Sequence, residues 1–293
     1  MSADITDADY SQSIDRLVDL SVNTYYNPYK TFKWPESLPD EQWWMSQDLM
    51  TVYGTSQIEQ LSESQLMALS KWESINFYSL NIHGIRELLL EVTKRIHSPG
   101  YQTPSKFFHH FIGEENEHMW FFAEFCLRYA SKIYPDKNVK LGSESYEADI
   151  ESLLVFIRIL VFEEIVDYFN TRMAKDGSLD PIIQEINAIH HQDESRHIAF
   201  GRQIVKHLYA QVSEKHPAEK LQAIETYVKG YIATSIQSLY NPAMYRDALI
   251  PEPHNFRRLL LQDPARRPHH KQFLKRTTDF LLKTGIISQE DFL

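Results

Sequence analysis

Apolar residues recur at spacings of three and four over long stretches of this chain, and proline and glycine punctuate them. From Ser62 to His97 the positions Leu66, Leu69, Ile75, Leu80, Leu88 and Val92 follow the helical period. Ser62 and Gln65 have the spacing of a capping box at the start of this helix, and Ser98-Pro99-Gly100 stops it. Pro104 lies near the first turn of a second helix running to about Tyr134, which Pro135-Asp136 ends. A third helix is expected from about Tyr146 to Lys175, stopped by Asp176-Gly177, and Pro181 opens a fourth running to about Val212. Further helices are expected over 217–240 and 266–284, with proline-containing loops at 241–254. The start of the chain is irregular and aromatic, with Tyr25-Tyr26-Asn27-Pro28-Tyr29, Trp34-Pro35 and Trp43-Trp44. It is expected to form one short helix (about 10–24) and then a segment draped over the main body, because these aromatics need surface to cover. The four long helices would each span about 40–50 Å at 1.5 Å per residue. Joined by short turns they make two antiparallel hairpins, an all-α four-helix bundle. One domain is expected over 1–293, with a lead-in at 1–61, the core bundle at about 62–213 and extra helices at 214–293.

Composition narrows the chemistry. The chain has 293 residues and only 9 glycines, which disfavours an all-β fold and glycine-rich nucleotide loops. With 30 Lys and Arg against 40 Asp and Glu the net charge is −10, which repels nucleic-acid phosphates. A single cysteine, Cys126, excludes an internal disulfide and cysteine-ligated zinc or iron–sulfur sites. The acidic start Met1-Ser2-Ala3-Asp4 does not read as a signal peptide, and no apolar run is long enough for a membrane span. A cytoplasmic protein with no membrane and no nucleic-acid partner is expected.

Histidine and glutamate are where the sequence concentrates chemistry. Two Glu-x-x-His elements occur, Glu115 with His118 and Glu194 with His197. Residues three apart share a helix face, so each element can aim a carboxylate and an imidazole at one point. Reflecting Glu115 through the first helix–helix turn lands on Glu87, and reflecting Glu194 through the second lands on Glu163, with Glu164 as the neighbouring register. One Glu from each of two helices plus Glu-x-x-His from each of the other two is the carboxylate-bridged di-metal arrangement. The flanking sequence is apolar, so carboxylates facing this core need cations. His190, four residues before Glu194, lies on the same face and can reach the metal as a third imidazole or serve as a buried hydrogen-bonding histidine. His191 points about 100° away. Asp193 is placed to orient His118, Glu114 to orient His197, and Arg196 to pair with such a carboxylate.

These spacings resemble ferritin-like di-iron proteins, and Asp193-Glu194-Ser195-Arg196-His197 resembles a motif of bacterial multicomponent monooxygenases. The chain is most similar to the p-aminobenzoate N-oxygenase family of di-iron arylamine oxygenases over about residues 15–240. The features shared with that family are the aromatic lead-in from Tyr26-Asn27-Pro28 to Trp34 and then Tyr53-Gly54-Thr55, the run Gly84-Ile85-Arg86-Glu87, and the spacing of His190, Glu194 and His197. The resemblance implies two iron ions held by Glu87, Glu115, His118, Glu163, His190, Glu194 and His197. It further implies O2 as co-substrate, a peroxo-bridged di-ferric intermediate, and oxidation of an aryl amine to hydroxylamine, nitroso or nitro products. Mixed imidazole and carboxylate donors suit iron or manganese. With no flavin, nicotinamide or iron–sulfur motif, electrons are expected from a separate reductase or small reductant, and a homodimer is expected. The alternatives are hydroxylation or desaturation of a C–H substrate, ferroxidase or metal storage, and a tyrosyl-radical subunit. Arg86, Arg158 and Arg202 are the candidate anchors for an acidic group on the substrate.

Overall fold

The computed structural model describes residues 7–39, 41–136 and 146–292; the N-terminal residues 1–4 read above for a leader lie outside them. The elements are α1 (Asp7–Asn23), the single turn α2 (Pro28–Thr31), α3 (Glu63–Arg95), α4 (Gln102–Ala130), α5 (Ala148–Met173), α6 (Pro181–Lys215), α7 (Ala218–Ser238), α8 (Pro242–Asp247), α9 (Pro253–Gln262) and α10 (Arg266–Thr284). No strand occurs among the described residues. The fold is all-α, with ferritin-like hairpins α3–α4 and α5–α6 at its centre.

Local chemistry sets the helix ends. Ser62 and Gln65 close the capping box at α3, each side chain satisfying the other's backbone N–H. Gly100, at φ +86°, makes the left-handed turn between α3 and α4 that a side chain resists. Asp180 Oδ1 accepts the Ile182 N–H at the start of α6, with Pro181 in the first position. Helix α4 stops at Ala130, four residues earlier than expected, because Ser131 turns into the left-handed region. Part of the loop expected at 241–254 is the helix α8, which Asn241 caps by accepting the Ala243 N–H ahead of Pro242.

Helix α5 has no clear amphipathic face, since it is buried on nearly every side from Ile150 to Met173. It packs against α3 and α6 within the bundle and against α7 and α10 outside it. Phe77 of α3 stacks on Phe169 of α5 at 5.0 Å, and Tyr78 stacks on Phe122 of α4 at 4.9 Å. The aromatic lead-in lies along α4. Phe32 meets Phe121, Trp44 meets Phe125, and Tyr129 Oη donates to the Pro35 carbonyl. Among the described residues no helix is long and apolar enough to cross a membrane.

One buried carboxylate lies away from the central cluster. Glu73 of α3 accepts both the N–H and the hydroxyl of Thr51, near Arg266. Burial pushes its pKa up to about 7, against the pull of Thr51 and Arg266. The folded protein therefore binds a proton that the unfolded chain has released between its ordinary value and about pH 7. Stability is expected to fall as pH rises through that window. Glu73→Gln should flatten the dependence and raise stability at pH 8 by roughly 1–3 kcal/mol, measured by urea unfolding at pH 5 and pH 8. Identical pH profiles in the two proteins would show that Glu73 is not the group responsible.

Candidate metal centre

Helix α4 directs Glu115 and His118 inward one turn apart, and α6 directs His190, Glu194 and His197 inward at spacings of four and three. Glu115, His118, Glu194 and His197 each offer a ligand atom within 4.8 Å of the others. All four are buried, as are Glu163 of α5 and His190. His197 Nδ1 lies 2.7 Å from Glu115, 3.6 Å from Glu194 and 4.0 Å from Glu163. His118 Nδ1 lies 3.2 Å from Glu115 and 3.8 Å from Glu194, and His190 Nε2 lies 2.8 Å from Glu194. Glu115 and Glu194 thus stand between the imidazoles.

The donor atoms are short of partners. Both oxygens of Glu194, one each of Glu115 and Glu163, His190 Nε2 and His197 Nδ1 are buried and make no hydrogen bond. Such groups are rarely left unsatisfied in an apolar interior, here walled by Phe107, Phe111, Phe121 and Phe122. Burial pulls the His118 imidazole down, but Glu115 and Asp193 outweigh it and hold its pKa at about 10. His197 is likewise held well above its ordinary value, against burial, by Glu194, Glu114 and Glu115. Burial keeps His190 well below its ordinary value, as a neutral imidazole. Cations can therefore replace protons here, with proton release on binding. The buried Glu and His cluster fits a di-iron centre.

The outward nitrogens are fixed. His118 Nε2–H donates to Asp193 Oδ2 at 3.0 Å, and His197 Nε2–H donates to Glu114 Oε2 at 2.7 Å. Each bond commits one ring proton outward, so that loss of the other frees Nδ1 toward the cluster. Arg196 lies between the two carboxylates, 2.6 Å from Asp193 and 2.8 Å from Glu114. It also donates to Ser21 of α1 and to Thr24 just after that helix, and Tyr26 Oη donates to Asp193. The sequence offered no local sign of these last three contacts. The amide of Asn170 lies 2.6 Å from His190 Nδ1.

The structure also separates the near alternatives. Glu164 turns away from the cluster, to Arg202 at 2.6 Å and Thr277 Oγ1 at 2.6 Å, so Glu163 is the inward carboxylate of α5. His191 pairs with Asp167 at 2.5 Å on the outer face. Arg276 of α10 reaches the same Asp167, so the C-terminal helix covers and neutralises the outer carboxylates of α5. The expectation for Glu87 is corrected. Its side chain is 61% exposed and paired with Arg86 at 3.0 Å. Reflection through a turn gives the height along a bundle but not the rotation about the helix. At this height Ile85 and Leu88 face inward, and Glu87 is about 200° round from Ile85.

A cavity of about 690 Å³ lies between α3, α5 and α7, lined by Leu80, Asn81, Phe162, Val166, Tyr231 and Arg158 among others. Gly84 admits the Phe162 ring to α3 at its edge, since a Cβ there would come within 2.5 Å of that ring. Phe162 precedes the inward Glu163.

Two uncharacterised mycobacterial proteins, one from Mycobacterium bovis and one from Mycobacterium tuberculosis, are each 24% identical to this chain over 213 residues. The match covers 68% of this chain and 62% of each relative. The family of p-aminobenzoate N-oxygenase AurF matches residues 7–285, nearly the whole chain. That family comprises di-iron N-oxygenases, which are oxidoreductases. With the buried imidazole–carboxylate cluster at its centre, the chain belongs to the p-aminobenzoate N-oxygenase AurF family.

Proposed function

We propose that this protein oxidises the nitrogen of a small aromatic amine with O2, at two iron ions held by Glu115, His118, Glu163, His190, Glu194 and His197. The observation that carries the reading is the set of six buried imidazole and carboxylate side chains converging on one point with unpartnered donor atoms. Bound iron would supply the activation of O2 and the electron transfer that side chains cannot perform. The residues of this chain do the rest. Asp193 and Glu114 orient two of the imidazoles, and Arg196 holds both carboxylates in place. The phenylalanines around the cluster exclude water. The cavity beside Phe162 is the substrate site in this reading. Its apolar wall accepts an aromatic ring, and Arg158, bonded to Tyr227 Oη, can meet an acidic substituent. Electrons come from a separate reductase or a small reductant, and the working unit is a cytoplasmic homodimer.

The test is single turnover of the iron-loaded, reduced protein with O2 and matched pairs of arenes, with and without an amine. Hydroxylamine, nitroso or nitro products from the amines are expected by mass spectrometry. Products oxidised only at carbon, formed equally from the nitrogen-free arenes, would move the protein to C–H hydroxylation or desaturation.

A further inference from the structure

The α3 corner of the centre lacks the carboxylate that a di-metal bundle ordinarily takes from its fourth helix. Each glutamate of α3 is engaged elsewhere or exposed. Glu63 lies exposed at the helix start, and Glu73 is held by Thr51. Glu87 pairs with Arg86 outside the bundle, and Glu91 pairs with Lys94 and Arg95 near the helix end.

What α3 does bury beside the centre, almost two turns before Glu87, is Asn81. Its neighbours along the helix bracket the centre. On one side Tyr78 stacks on Phe122, which in turn meets the His190 ring at 4.9 Å. On the other, Gly84 meets Phe162, next to Glu163. Asn81 is fully buried, its Nδ2 donates to the Phe77 carbonyl, and its Oδ1 has no partner. An unpartnered amide oxygen in an apolar interior has a price that a cation removes.

We infer that Asn81 takes the α3 corner of the centre as a neutral oxygen donor, and that the two metal positions are therefore unequal. The inference rests on the di-metal reading above, and not on the substrate. One position would draw on Glu163 and His197, the other on His118 and the amide of Asn81, with Glu115, Glu194 and His190 beside them; the His190 ring lies 4.4 Å from His118 and its Nε2 2.8 Å from Glu194. Fewer anionic oxygens mean weaker binding of a hard divalent ion. The weaker position would also be the one nearer the cavity, since Asn81 lines it. An ion held there would have fewer anionic protein ligands on the side from which a substrate would enter.

The test is anaerobic titration of the metal-free full chain with Co(II), followed by calorimetry and by cobalt absorbance. Two steps are expected, the second on the order of 100-fold weaker than the first. Asn81→Glu should strengthen the second step at least tenfold and leave the first unchanged. Asn81→Ala, which removes only a small polar group and serves if the glutamate variant does not fold, should weaken the second step at least tenfold with the first intact. Two equally tight cobalt ions in the natural chain, or a second step that neither variant moves, would overturn the inference. Equal tight binding together with amine oxidation would leave the oxygenase reading standing. Unequal steps without any amine oxidation would do the reverse.

Discussion

Glu194→Ala is expected to abolish binding of both metal ions, not one. The carboxylate lies 2.8 Å from His190, 3.6 Å from His197 and 3.8 Å from His118, so every imidazole of the centre faces it. Neither of its oxygens has a hydrogen-bond partner, and protonated His197 is its nearest buried counter-charge when metal is absent. Losing a bridge removes one ligand from each position and the negative charge that offsets their mutual repulsion. Iron content should fall from two per chain to below about 0.2, and oxygenase turnover by at least about 1000-fold. The fold should survive, because burial already raises the pKa of Glu194, and in its absence His197 can give up its proton and stay buried as a neutral imidazole. Iron per chain by elemental analysis, with circular dichroism as the control for folding, decides the matter. Glu87→Ala is the comparison, expected to keep full iron because that side chain faces solvent. Full two-iron occupancy in Glu194→Ala, or loss of iron in Glu87→Ala, would show the assignment to be wrong.

Arg196→Leu should produce the largest loss of stability. Its guanidinium is nearly fully buried and touches Asp193 and Glu114, with Ser21 of α1 and the following Thr24 at its other edge. Removing it leaves two nearby buried carboxylates without their shared cation and frees the attachment of α1 to α6. Breaking a buried ion pair from one side costs about 3–5 kcal/mol. Chemical denaturation of the metal-free protein should show a loss of that size, and α1 should become susceptible to limited proteolysis. Metal affinity should fall about 10–100-fold as Asp193 and Glu114 lose their hold on the imidazoles. A change in stability below about 1 kcal/mol would mean that the carboxylates find other partners.

Some of this protein is legible from local spacing alone. Glu115 with His118, and His190 with Glu194 and His197, lie on single helices, where three- and four-residue steps dictate a shared face. Asp193 and Glu114 were placeable for the same reason, each being fixed about 100° round its helix from the glutamate beside it. The helix starts at Ser62 and Pro181 follow from capping chemistry written in adjacent residues. Burial along α5 was visible as an apolar run, and the choice between Glu163 and Glu164 was not, since both are buried and only their partners differ.

What the tertiary structure alone decided involves rotation and distance. Glu87 has the wrong azimuth, because helix rotation is set by which side of α3 packs on α4 and α5, and Ile85 and Leu88 are the residues buried there. Asn81 carries no motif, and its meaning depends on the missing carboxylate and on an oxygen left without a partner. Arg196 reaches α1 across more than 170 residues of sequence, and α10 covers Glu164 and Asp167 across more than 100. Sequence periodicity determined which residues share a helix face. Packing of one helix on another determined which faces meet, because that choice depends on the summed burial of side chains far apart in the chain.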